Sequence, residues 1–242
     1  MKTEPTVPLI KLLTEAGAGS RRKMADAIRN GRVTVNGQVA ESFNHPVNSS
    51  HDRVQIDGTP VTLSVENPIC LMLNKPKDIL STTFDERGGR TVLDILPEKY
   101  RRYRLYPVGR LDKDTTGLLL VTNDGELTNR LTHPRYEHEK EYLVQIEGKL
   151  TVVEKQQLEG GIRLDEGMTS PARVKEVTAR PFNYSLTIHE GRKRQVRRMF
   201  ARLGYRILAL KRVRTGNLAL GDLKEGQVRE LTAREIARLL ER

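Results

Sequence analysis

The apolar pattern of this 242-residue chain changes character at Glu66-Asn67-Pro68, and that break points to two separately folded units. Upstream, Leu9, Leu12, Leu13 and Ala16 recur at helical spacing, with Gly17 and Gly19 to end the helix. Ser20 is placed to cap a second helix with the apolar stripe Met24, Ala27 and Ile28, and Asn30-Gly31 supplies a left-handed stop. Val33 and Val35 lead into Asn36-Gly37, and Val54 and Ile56 into Asp57-Gly58. Both dipeptides favour tight hairpins, whose two central residues need positive φ. The first unit is therefore two short helices and a small β-ribbon, residues 8–65.

Residues 66–242 read differently. Ile69–Leu73 and Leu118–Thr122 are short buried strands, while Tyr142, Val144 and Ile146, and later Tyr184, Leu186 and Ile188, alternate as half-buried strands. After Gly191 a helix is expected, with Val196, Met199, Phe200 and Leu203 on its core face. At about 100° per residue, Arg194 and Arg198 point away from that stripe toward solvent. Arg197 lies at its shoulder, where a long side chain can rest its stem on apolar surface and carry its head into a cleft. The fold class is α+β.

Charge narrows the partners. The net charge of +11 favours a polyanion, because each phosphate contact releases condensed counterions, although a merely soluble basic surface explains it equally well. Its distribution says more: from His189 to Arg214 there are ten Lys or Arg and one acid, Glu190. The single cysteine, Cys70, sits in an apolar run and reads as a buried thiol. The five histidines show no metal-ligand spacing, so no metal site is expected. The polar start and the lack of a long apolar stretch lead to the expectation of a cytoplasmic protein with no membrane partner.

Asp112 follows Gly109 and precedes Thr115-Thr116-Gly117, between two apolar segments. Its commonest job there is to cap a helix. A neighbouring arginine, a glycine that lets backbone approach a ligand, and a basic chain leave catalysis open beside that reading.

Two stretches carry resemblances. Leu13-Thr14-Glu15-Ala16-Gly17-Ala18-Gly19-Ser20-Arg21-Arg22, with Ile28-Arg29-Asn30-Gly31-Arg32-Val33-Thr34-Val35-Asn36-Gly37, resembles the S4 RNA-binding domain, named after ribosomal small-subunit protein four. That likeness implies phosphate contacts by Arg21, Arg22, Arg29 and Arg32, against the alternative of a solvated helix face; Pro8 stands where the family usually has arginine. Pro107-Val108-Gly109-Arg110-Leu111-Asp112-Lys113-Asp114-Thr115-Thr116-Gly117-Leu118 is similar to the catalytic-aspartate motif of the RsuA-type bacterial ribosomal RNA pseudouridine synthases. So is Glu190-Gly191-Arg192-Lys193-Arg194-Gln195-Val196-Arg197-Arg198-Met199, and Lys140-Glu141-Tyr142-Leu143-Val144 matches a further family segment.

The resemblance implies an S4-like domain followed by a catalytic domain with a mostly antiparallel mixed sheet. It places the catalytic aspartate on Asp112, the tyrosine that packs against the target base on Tyr142, and the basic partner of the aspartate on Arg197. Arg110 becomes a nucleotide or phosphate contact, and Arg194 and Arg198 further RNA contacts. The implied reaction, uridine to pseudouridine, oxidises nothing and imports no group, so no cofactor is expected. The implied partner is ribosomal RNA, free or in assembling subunits, 23S rather than 16S, bound by a monomer. A non-catalytic RNA-binding assembly factor on the same scaffold is the rival. Two departures stand out: Asp78 replaces a usual glycine, a position aspartate can occupy with left-handed backbone. Glu141 replaces a frequent threonine, and strand alternation points it away from the Tyr142 face.

Overall fold

The computed structural model describes residues 6–63 and 67–241, and contacts divide the chain into units at Pro68/Ile69. The expected boundary at Val65 and Glu66 lies outside the described residues.

In the first unit, α1 (Leu9–Glu15) and α2 (Arg21–Arg29) pack on a ribbon of β1 (Val33–Val35), β2 (Gln38–Val39), β3 (Val54–Ile56) and β4 (Thr59–Pro60). The Ser20 hydroxyl accepts from the Lys23 amide at 3.2 Å, as its capping role requires. Met24, Ala27 and Ile28 are buried with Leu9, Leu12 and Leu13 in one apolar core. Asn36-Gly37 and Asp57-Gly58 all carry positive φ, the geometry expected of tight hairpins.

The second unit is built on a nine-stranded sheet. Its strands are β5 (Cys70–Lys75), β6 (Tyr106–Val108), β7 (Thr116–Thr122), β8 (Lys140–Ile146), β9 (Arg173–Glu176), β10 (Tyr184–Ile188), β11 (Ile207–Thr215), β12 (Leu218–Ala219) and β13 (Val228–Glu230). The order is β9-β10-β8-β11-β7-β5-β13, with β6 beside β7 and β12 beside β11. All pairs are antiparallel except β11 with β7, so the sheet is mixed but mostly antiparallel, as the resemblance implied. Alternating strand residues feed separate apolar clusters. Leu73, Leu119, Val144 and Leu210 pack with Leu158 of α4 (Val152–Gly160) and with Met199 and Phe200 of α5 (Gln195–Arg202). Met72, Leu118 and Leu120 pack with Leu127 of α3 (Gly125–Thr132) and Leu239 of α6 (Ala233–Leu240).

Three expectations need correction or completion. β10 is buried along its whole length rather than by halves, because its second face meets polar neighbours: the Ser185 hydroxyl donates to Glu141 at 2.7 Å. Cys70 is buried, and burial pushes its thiol up to about 12. The helix expected after Gly191 starts only at Gln195, since Arg194 takes a left-handed conformation with φ of 51°. Its side-chain direction therefore cannot follow the helical wheel. None of the helices among the described residues is long and apolar enough to cross a membrane.

One glycine fixes how the sheet meets the motif loop. At Gly117, φ is +104°, and a Cβ there would lie 2.1 Å from the Arg212 carbonyl oxygen. This is where β7 starts its parallel pairing with β11. The loop before it, 109–115, is thus anchored at the middle of the sheet.

Candidate active site

Loop 109–115 joins β6 to β7, so Asp112 precedes a strand and not a helix. The capping alternative is removed. The loop is held from several sides. The Ser81 hydroxyl donates to the Leu111 carbonyl at 2.9 Å and accepts from the Leu111 amide at 3.1 Å. The Lys113 carbonyl accepts from the Asp78 amide at 2.9 Å and from Lys75 Nζ at 3.4 Å. Asp78 adopts the left-handed backbone, φ 65°, that its departure from glycine demanded. Lys75 itself is fully buried and also donates to the Pro76 and Ile79 carbonyls at 2.8 Å. Burial brings its ammonium down to about 8, with nearby carboxylates pulling the other way.

The carboxylate of Asp112 opens onto a cavity of about 940 Å³. Tyr142, Arg197, Arg110 and Arg194 line the same cavity, so residues from separate segments of the sequence are brought together. Tyr142 presents its ring from β8 with 8% of its surface exposed. Arg110 is exposed at the cavity and makes no ion pair among the described residues.

The arginines are not distributed as expected. Arg197 was the implied partner of Asp112, but its ion pair is with Asp114, at 3.3 Å, and it also donates to the Asp114 carbonyl at 3.0 Å. Only 13% of its side chain is exposed, and burial lowers its pKa from the ordinary value, with Asp114 opposing. An arginine stays charged through such a shift. The cation beside Asp112 is instead Arg194, 3.8 Å away, which also reaches both Asp114 oxygens at 3.3 Å. The reason is the left-handed turn at Arg194, which aims its side chain into the site rather than to solvent. Burial pushes the Asp114 carboxyl up, but the Arg194 hydrogen bonds and the Arg197 and Arg194 charges outweigh it and hold the group below its usual range.

Arg198 does not line the cavity. Its guanidinium is committed to Glu166, at 2.7 and 2.9 Å. Glu141 pairs with Ser185 and Arg214 on the sheet face opposite Tyr142, as alternation required. In the first unit, Arg21, Arg22, Arg29 and Arg32 are all exposed. Arg29 pairs with Asp26 at 2.7 Å, and Arg32 pairs with Asp57 through two nitrogens. Arg21 and Arg22 have no such partner among the described residues.

Sequence reasoning gave no role to Lys140, which lines the cavity two residues before Tyr142 on the same strand face. Its Nζ donates to the His138 carbonyl at 3.1 Å. Burial, with Arg212 adding to it and Glu190 opposing, brings its ammonium down to about 8. The alternation that placed Tyr142 was signal enough to find it. Arg212 was also missed. It is buried in the cavity wall with Nε on the Leu118 carbonyl at 2.7 Å, and no local pattern distinguishes it from neighbouring basic residues.

Residues 69–202 match the family described as RNA pseudouridylate synthase, and residues 7–52 match the S4 domain. The chain is 42% identical over 235 residues to a Bacillus subtilis (strain 168) protein named ribosomal large subunit pseudouridine synthase B, covering 96% of this chain and 94% of that one. A Vibrio cholerae protein of the same name is 41% identical, over 96% of this chain and 74% of its own length. A solved structure described as a crystal structure of pseudouridylate synthase superposes with a TM-score of 0.68 at 32% identity, covering 98% of this chain and all of the other.

Proposed function

Because this chain belongs to the RNA pseudouridylate synthase family, we propose that it isomerises a uridine of large-subunit ribosomal RNA to pseudouridine, the substrate named for its Bacillus and Vibrio relatives. The observation that supports this at the level of residues is the cavity, which joins a loop carboxylate, a tyrosine ring and a set of cations. The reaction breaks the bond from ribose C1′ to uracil N1, turns the ring, and joins C1′ to C5. The C5 proton leaves and N1 takes one up, so atoms and electrons balance without a further reactant.

A uracil inside a helix cannot reach Asp112, so the nucleotide must be turned out, at a cost of a few kcal/mol offset by stacking and phosphate contacts. Tyr142 offers the ring against which the base rests. The Asp112 carboxylate attacks the nucleoside or takes its ribose proton, and either act needs an ionised group held in place. Arg194 stands beside that carboxylate. Arg197 is a positioning residue, acting through Asp114 and the loop backbone. Arg110 meets a phosphate at the cavity mouth, and the exposed arginines of the S4 domain, Arg21, Arg22, Arg29 and Arg32, hold RNA by charge. Every cavity wall comes from the second unit, which suits a monomer; a ribosomal RNA substrate suits work in the cytoplasm, on free or assembling subunits.

The test is to map pseudouridine in ribosomal RNA from cells lacking this gene and from cells restored with wild type or with Asp112→Asn. One large-subunit site should disappear and return only with wild type. Purified Asp112→Asn should lose at least about a thousandfold in turnover, some 4 kcal/mol of barrier, while RNA affinity changes little. Restoration by Asp112→Asn would refute the chemistry assigned here, and loss of a small-subunit site would refute the substrate.

A further inference from the structure

A second, smaller cavity adjoins the first. This groove, of about 580 Å³, is bounded by Lys77, Asp114, Arg194, Arg197, Tyr205 and Arg206. Arg194 and Arg197 face both spaces and so form the partition between them. Four cations meet one carboxylate in the groove, and that carboxylate, Asp114, is already matched by Arg194 and Arg197 at 3.3 Å each. Lys77 and Arg206 are exposed and have no ion pair among the described residues. The Nε of Arg197 is buried without a hydrogen-bond partner.

The groove is not charged throughout. Leu208 belongs to it and is 46% exposed, which gives the groove an apolar floor beside its charges. The ring of Tyr205 is held by its hydroxyl, which lies 2.9 Å from the Lys149 carbonyl and 3.0 Å from the Glu154 carboxylate. Unpaired cations around a small apolar surface with a fixed aromatic ring suit one nucleotide of a single strand, with phosphate on the charges and sugar or base on the apolar part.

We propose that this groove binds the nucleotide next to the target uridine on the same RNA strand, with its phosphate held by Lys77 and Arg206. The proposal rests on the RNA-modifying function of the adjoining cavity. A strand that turns one base into the first cavity and continues over the arginine partition carries its next phosphate into the groove. The excess positive charge lies where that phosphate would pass.

The experiment compares wild type with Lys77→Gln/Arg206→Gln on transcripts spanning the modified uridine, followed by a scan in which single flanking linkages are made neutral methylphosphonates. The double variant should raise KM about tenfold, leave kcat within about twofold, and flatten the logarithmic salt dependence of binding by about one. One neutral linkage should raise the KM of wild type by a similar factor and leave the variant unaffected, since the two changes remove the same interaction. Both side chains are exposed and unpaired, so equal melting temperatures should confirm an intact fold. Unchanged KM and salt slope, or a linkage scan that costs both proteins equally, would overturn the proposal. Inhibition by millimolar inorganic phosphate combined with a silent linkage scan would assign the groove to a free anion and overturn it as well. If wild type forms no pseudouridine in these transcripts, the functional reading itself fails before the variants are compared.

Discussion

Arg21 and Arg22, at the start of α2, extend into solvent without an ion pair among the described residues. Arg197, in the similarly short α5, keeps 13% of its side chain exposed and spends its guanidinium on Asp114 and on two backbone carbonyls, of Asp114 and Ile207. The same residue type does different work in the two units. An exposed guanidinium exchanges counterions for phosphates and needs no fixed geometry to do so. A buried one has lost its water and persists only where acceptors replace it, so its position is set before any RNA arrives. On the proposed function, Arg21 and Arg22 contribute affinity that salt can weaken, and Arg197 contributes geometry that salt cannot.

Among the variants that test this contrast, the largest effect on stability is expected from removing a buried cation altogether. Lys75 is fully buried and donates to three carbonyls, including that of Lys113 beside Asp112. Lys75→Met keeps the bulk and leaves those carbonyls without their donor. A loss of about 3 kcal/mol is expected. In a unit of this size that lowers the melting temperature by roughly 6–12 °C, and turnover should fall as the catalytic loop loosens. Thermal unfolding beside Arg22→Ala, which should not move the melting point measurably, makes the contrast direct. An equally stable Lys75→Met would show that burial of these cations is not what rigidifies the site.

How much of this was legible depends on how local the cause is. Ser20, Asn36-Gly37 and Asp57-Gly58 act through their own backbone neighbourhood, so the helix cap and both hairpins followed from the sequence. The Tyr142 face and the turning away of Glu141 followed from strand alternation. The parallel pairing of β11 with β7, which sets the Asp112 loop beside α5, joins residues far apart in the chain and leaves no local trace. Arg194 shows the limit most clearly. The wheel assumed helical backbone where the chain is left-handed, and the arginine assigned to solvent became the one nearest Asp112. Arg197 was placed in the cleft correctly, but the wheel could not choose between Asp112 and Asp114 as its partner.

A smaller effect should separate Lys140 from the arginines around it. Burial brings its ammonium from 10.5 down to about 8, so the cavity loses one positive charge as pH rises through that value. RNA affinity of wild type should decline a few-fold between pH 7 and pH 9. Lys140→Arg, charged throughout that range, should lose much less. The effect on stability has the opposite sign. Between about 8 and 10.5 the unfolded chain holds a proton that the folded one has released, so wild type gains stability relative to Lys140→Arg as pH rises. Parallel pH profiles for the two proteins, in affinity and in unfolding, would remove Lys140 from the set of buried cations that matter.

The finest division lies within the S4 unit itself. Arg29 and Arg32 are as exposed as Arg21 and Arg22, but each is already paired with an aspartate, Asp26 or Asp57. Such surface pairs are weak, and a phosphate must compete with the carboxylate to use the arginine. Arg21→Ala/Arg22→Ala should therefore flatten the logarithmic salt dependence of RNA binding by about two, one for each phosphate left without its arginine. Arg29→Ala/Arg32→Ala should flatten it by less than half as much, because these guanidiniums are already neutralised by Asp26 and Asp57 and so displace fewer counterions from the RNA. Neither pair should change kcat at saturating RNA by more than about twofold, since affinity is all that a solvated arginine contributes. A titration series in salt on wild type and the two double variants is enough to tell. Equal slopes for the two pairs would mean that both aspartates release their arginines on binding, and the unit's arginines would then act as one undivided phosphate surface.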